Sequence, residues 1–225
     1  MKLTYLAPWD VLILTALLFG PALVSSMTAR RSVPPEEEAG EFTLRENVYA
    51  LVTQALQLAL ACGYLWVRKF DFGTLSVAVT PKSILAAAAL FCAVGLLMDL
   101  ITSMKDGFGW IPKLLRHNIP LVSAAEGVDL PLVLISVLNG FYEEFFFLGI
   151  CTAVAPQYGW VMFLYAIAVR ILIHTYQGLF TAVTMGLNLG LVYGLLYAVA
   201  CDNLFVYAAA HALADIFGLS LFNLL

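Results

Sequence analysis

Charge is scarce in this chain. Of its 225 residues, 12% are Asp, Glu, Lys or Arg and 62% are hydrophobic. A soluble domain carries about 25% charged residues, so the shortage excludes an ordinary water-facing surface and places the chain among polytopic membrane proteins. Clustered lysine and arginine are missing too, which leaves no basic patch for a nucleic acid. Cysteine is sparse at four residues, and Cys62, Cys92, Cys151 and Cys201 sit in or beside apolar segments without a Cys-x-x-Cys spacing. Neither a disulfide framework nor a cysteine metal site follows from that pattern. Repeats and low-complexity tracts are absent.

What is there is a succession of long apolar runs. At ~20 residues per membrane-crossing helix, the chain has room for about seven spans. They are read at Trp9–Met27, Val48–Val67, Ser83–Met104, Leu130–Val154, Trp160–Tyr176, Leu179–Ala200 and Leu204–Phe222. The fold class is therefore all-α, a polytopic transmembrane bundle. Residues 1–129 form N-terminal helices and connectors, and residues 130–225 form a core of four helices joined by very short loops. Such loops make consecutive helices antiparallel neighbours. Pro21 interrupts the first run and no small-x-small cleavage site ends it, so that run reads as a retained helix. The polar stretch Thr28–Asn47, with Pro34, Pro35 and Glu36–Glu38, reads as a solvated connector whose end, Phe42–Glu46, begins a helix at the interface. Lys105–Asp129, with Trp110, Lys113, Arg116 and His117, reads as a partly amphipathic surface connector. Asp99 falls near the end of its span and is expected to be solvated. Four basic residues lie on one side and six on the other, a weak orientation signal.

Acids and histidines inside the apolar runs carry the functional signal. Glu143 and Glu144 are adjacent near the middle of the fourth span. A charged side chain at that depth costs about 2.5–3.5 kcal/mol on insertion scales, and its default explanation is a functional site facing a protein interior or a water-filled cavity. Arg170 and His174 are four residues apart, on one face of the fifth span, and His211 and Asp215 share a face of the seventh. The sixth span has no charge. Its Gly186, Gly190 and Gly194 recur every fourth residue, a small-residue stripe for close helix packing. Three chemistries fit the polar set. Glu143 can act as a general base on water with His174 beside it, while His211 and Asp215 stabilise an oxyanion. Two histidines with carboxylates can bind zinc, although no His-Glu-x-x-His occurs. Acid–histidine chains also relay protons. Residue spacing does not separate these. Gly-x-Ser-Gly and Gly-x-Gly-Asp are both absent.

Three motifs in order resemble one family over about Leu130–Phe222. Glu143-Glu144-Phe-Phe-Phe-Leu148 is similar to its Glu-Glu-x-x-x-Arg, Arg170-Ile-Leu-Ile-His174 to its second motif, and His211-Ala-Leu-Ala-Asp215 to its third. The family is the CPBP (Abi, or CAAX-protease-like) family of intramembrane proteases, which includes the type II CAAX prenyl endopeptidases. The resemblance implies a multi-pass cell-membrane peptidase acting on a membrane-associated protein or peptide. By the same resemblance Glu143 activates the water, with His174 as its partner. Glu144 is a supporting acid, and His211 with Asp215 stabilises the oxyanion. A mechanism needing no cofactor is expected; a divalent metal such as zinc, if used, would take Glu143, His174 and His211. One departure stands out: the family's arginine is Leu148 here, which leaves Glu144 without its partner, and Arg170 is the candidate substitute. The alternative is a noncatalytic binding, regulatory or bacteriocin-immunity protein using the same polar cavity.

Overall fold

The computed structural model describes residues 2–29, 44–105, 128 and 130–219. Seven helices are present among them: α1 (Pro8–Ala29), α2 (Leu44–Val67), α3 (Pro81–Lys105), α4 (Leu130–Glu144), α5 (Gly159–Ile173), α6 (Leu179–Val199) and α7 (Leu204–Phe217). α4 runs on into a wider π-helical stretch, Phe145–Ile150. The all-helical class is as the sequence implied, and six of the helices are long and apolar enough to cross a membrane. α7 is the short one. Its 14 residues reach about 21 Å at 1.5 Å per residue, and Gly218, at φ +85°, ends it before the Phe222 that the apolar run suggested. Most of the connectors 28–47 and 105–129, including Glu36–Glu38 and His117, lies outside the described residues. Pro21 does not break α1, which runs continuously through it.

The chain start is tied into the bundle. Leu3 N–H donates to Lys69 O (2.8 Å), Asp71 N–H to Leu3 O (3.0 Å), and Leu6 N–H to Ala153 O (2.7 Å), so residues 3–6 run from the α2–α3 connection to the turn after the π-helical stretch. Lys2 pairs with Asp71 at 2.8 Å and, with the Gly73 N–H, holds that carboxyl below the usual carboxylate range. Just inside the helix, buried Asp10 accepts from Tyr64 Oη (2.6 Å) and Arg68 Nε (2.8 Å), which locks α1 to the end of α2. At the same end, Asn203 accepts from Ala78 N–H (2.9 Å) and donates to Ala78 O (2.7 Å), fixing where α7 begins.

Close packing sets the helix spacing around the site. A Cβ on Gly190 would lie 2.7 Å from Ile167 Cγ1, and one on Gly194 would lie 2.5 Å from Phe163; Ile171 lies against Gly186 in the same way. The glycine stripe of α6 thus takes a matching every-fourth-residue ridge of α5. α4 and α7 touch at Gly140, where a Cβ would stand 2.8 Å from Ala212 N and collide with Ala208 O. Asp99 differs from expectation. It is 5% exposed, because it continues the buried stripe Ala87, Leu90, Phe91, Val94 and Ser103 of α3.

Candidate active site

Adjacent residues on an α-helix point about 100° apart, and that angle separates the two glutamates. Glu144 faces α5 and α7 and is completely buried; Glu143 is 6% exposed. The π-helical stretch follows at once, with Cys151 N–H reaching Phe146 O at 2.9 Å, five residues back. Such wide turns are rare and are frequently found at functional sites. Here the turn buries Phe145, Phe146 and Phe147 together, and Phe19 of α1 packs on Phe146 and Phe147 with ring centroids 5.0 and 5.4 Å away.

Arg170 lies opposite Glu144. Its Nη1 donates to Glu144 Oε1 at 2.9 Å and its Nη2 to Oε2 at 2.8 Å, the parallel two-bond geometry that guanidinium and carboxylate form best. Its guanidinium also stacks 4.1 Å from the Phe147 ring centroid. Leu148, at the position of the family's arginine, is buried and apolar, and Arg170 supplies the cation from α5 instead.

Glu144 passes this order on to His211. Oε1 lies 2.7 Å from His211 Nδ1, and a carboxylate already paired with arginine can only accept, so Nδ1 carries the proton. The other ring nitrogen, Nε2, lies 3.6 Å from Asp215 Oδ1 and 4.0 Å from Glu143 Oε2. Glu143 Oε2 accepts no direct hydrogen bond, and its other charged neighbour is Arg170 Nη1 at 3.9 Å. His174 caps α5. Its Nδ1 is 2.7 Å from the carbonyl oxygen of Arg170, which places the proton there and leaves the lone pair of a neutral ring on Nε2. The structure therefore gathers Glu143, Glu144, Arg170, His211 and Asp215 into one network and sets His174 one turn beyond Arg170. Among the described residues no group of three or more His, Cys, Asp or Glu is spaced to hold a metal ion.

Sequence reading did not find the outer polar residues. Asn139 Nδ2 donates to Asp215 Oδ2 at 2.8 Å, and Gln54 Nε2 donates to Asn139 Oδ1 at 2.7 Å, so a chain of amides runs from α2 to the aspartate. Tyr142 donates to Leu18 O and lies 3.0 Å from Gln57 Oε1. Asn139 stands four residues before Glu143, on the same face, and that spacing was the available signal. A cavity of about 880 Å3 between α2, α4 and the turn 175–177 opens onto this group, with Gln54, Asn139, Tyr176 and Asp215 in its wall.

Comparison with known proteins gives one family. Residues 127–217 match the family described as Type II CAAX prenyl endopeptidase Rce1-like. No curated protein and no solved structure matches the chain. The matched segment contains all six residues of the site, and it is similar to the type II CAAX prenyl endopeptidase Rce1-like family, the group that the three sequence motifs resemble.

Proposed function

We propose that this protein is a multi-pass cell-membrane peptidase that hydrolyses a peptide bond of a membrane-associated protein or peptide, using a water activated by Glu143. One observation carries the reading. Glu143 Oε2 is buried and unbonded, 3.9 Å from Arg170 Nη1 and 4.0 Å from His211 Nε2, separations at which groups share a third atom rather than bond directly. A water there gives one proton to Glu143 as its oxygen attacks the carbonyl carbon. The negative charge that develops on the carbonyl oxygen is met by an Nε2–H of His211, which requires the cationic ring with both nitrogens protonated, held at Nδ1 by Glu144 and with the Asp215 carboxylate beside Nε2. Collapse breaks the C–N bond, and the amine leaves with the proton returned from Glu143, directly or through His174 Nε2. No step passes through a metal. The match to the endopeptidase family supports this class of reaction and says nothing of a prenyl group on the substrate.

The test maps new protein N-termini in membrane fractions of cells carrying wild type, Glu143→Ala or His174→Ala. Termini are expected with wild type, to persist when membranes are treated with a chelator, and to disappear with either variant at equal protein abundance. A cellular phenotype that Glu143→Ala supports as well as wild type, with no difference in termini, would replace hydrolysis by the noncatalytic binding role.

A further inference from the structure

An elongated apolar groove of about 320 Å3 runs behind the site, between the π-helical stretch, α5 and α6. Gly159 and Trp160 mark one end of it, at the start of α5, and Arg170 and Phe147 close the other. Along α5 that is about 16 Å at 1.5 Å per residue, and one leaflet's half of the hydrocarbon core is about 15 Å. The space exists because small residues face it: Ala166 on α5, and Gly190, Gly194 and Ala198 on α6. Its outer edge meets the lipid-facing surface, where Trp160 is 75% and Leu195 48% exposed. Glu143, His174, His211 and Asp215 take no part in its wall, so the groove lies apart from the reacting groups.

We propose that this groove holds one acyl chain of a bilayer phospholipid, entering from the leaflet at the Trp160 end, with its tip against Phe147 and the back of Arg170. Neither water nor a peptide backbone suits the groove. Thr152 Oγ donates to Leu148 O and the Arg170 guanidinium is bonded to Glu144, so these polar members of the wall are already engaged. An apolar cavity stays dry, and left empty it forfeits contacts for every side chain around it. A hydrocarbon chain needs no hydrogen bonds, and the bilayer supplies one at the groove's own depth. Trp160 stands where the headgroups begin, the level at which tryptophan is enriched. The consequence for the site is positional. With the chain in place, Arg170 has lipid carbon and the Phe147 ring around it and Glu144 before it, and water is kept from the ion pair. Binding of the chain goes beyond the hydrolytic reading and does not depend on it.

The experiment reconstitutes the full chain in phosphatidylcholine vesicles doped with a phospholipid whose palmitoyl chain carries a photoactivatable diazirine, either at its tip or beside its ester. After illumination, adducts are mapped by peptide mass spectrometry. The tip probe is expected to label residues 147–151 and 166–170, and the ester-side probe residues 156–160 and 195–198. Ala198→Trp narrows the groove from an exposed position. It should cut tip labelling in the groove about tenfold, while labelling around Leu85 and Leu96, on the lipid-facing side of α3, stays as in wild type. Leu195→Trp replaces it if Ala198→Trp fails to accumulate, and if both fail the depth pattern in wild type decides alone. Tip labelling no stronger in the groove than on α3, or unchanged in an accumulated variant, overturns the proposal. Displacement of the label by farnesol but not by unlabelled phospholipid also overturns it, and gives the groove to a different lipid.

Discussion

Arg170 governs the placement of the charged groups around it. Its two bonds hold Glu144, Glu144 holds the proton of His211 on Nδ1, and Nε2 of His211 is thereby presented to Glu143 and Asp215. Removing one partner of a buried ion pair leaves an uncompensated charge and costs about 3–5 kcal/mol, so Arg170→Leu is expected to unfold in detergent at clearly lower temperature than wild type. In a cycle with Glu144→Gln, the interaction energy should fall within about 0.5–3 kcal/mol; additive losses would show that the two residues do not act as a pair. Asp215 is predicted to be more tolerant. Asp215→Asn retains an oxygen to accept from Asn139 and should keep more activity than Asp215→Ala, whereas equal loss would mean that the charge is what matters. The six ionisable site residues were legible because each stands out against an apolar run. The pairing of Glu144 with Arg170 was legible only as a vacancy at Leu148. Asn139 and Gln54 escaped because an uncharged amide that finds a hydrogen-bond partner between helices costs less than a charge and stands out less in sequence.

At the scale of elements, the site depends on how closely α4 and α7 approach. Glu144 and His211 are carried by these two helices, and Gly140 lies where their backbones touch. Gly140→Ala would force the helices apart at Ala208 and Ala212. Overpacking of this kind costs about 1–3 kcal/mol, and it should also reduce cleavage by separating Glu144 from His211. Gly63 of α2, with nothing within 4 Å of its position, is the matched control, and Gly63→Ala should leave stability and activity intact. Equal behaviour of the two variants would remove the close crossing from the account. Helix number, order and the role of the glycine stripe could be read from apolar runs and spacing, because the bilayer forces regular backbone. The π-helical stretch could not. Its wide turn is a matter of backbone hydrogen bonding around three phenylalanines, and a hydrophobicity pattern of Phe-Phe-Phe-Leu carries no register of its own. Asp99 was misplaced for a similar reason: distance from a span's end gives depth, not the face on which the residue lies.

For the whole molecule, alternation of the helices puts Arg45, Gln177 and the mouth of the larger cavity at one end of the bundle, and Lys69, Asp71 and Asp202 at the other. Impermeant labels directed to single cysteines at these positions, in a background without the native four, should modify the two sets from opposite sides of a sealed vesicle. Labelling of Arg45→Cys and Asp202→Cys from the same side would contradict the topology. A further consequence concerns the strap at residues 3–6. It bonds to Lys69 and Asp71 and to Ala153, and Ser26 of α1 reaches Ile173 across 147 positions. During synthesis, therefore, residues 3–6 wait until Ala153 has been made before their last contacts exist. α1 and α2 can pair through Asp10, Tyr64 and Arg68 in that interval, but the site is not assembled until α7, which carries His211 and Asp215, has been made.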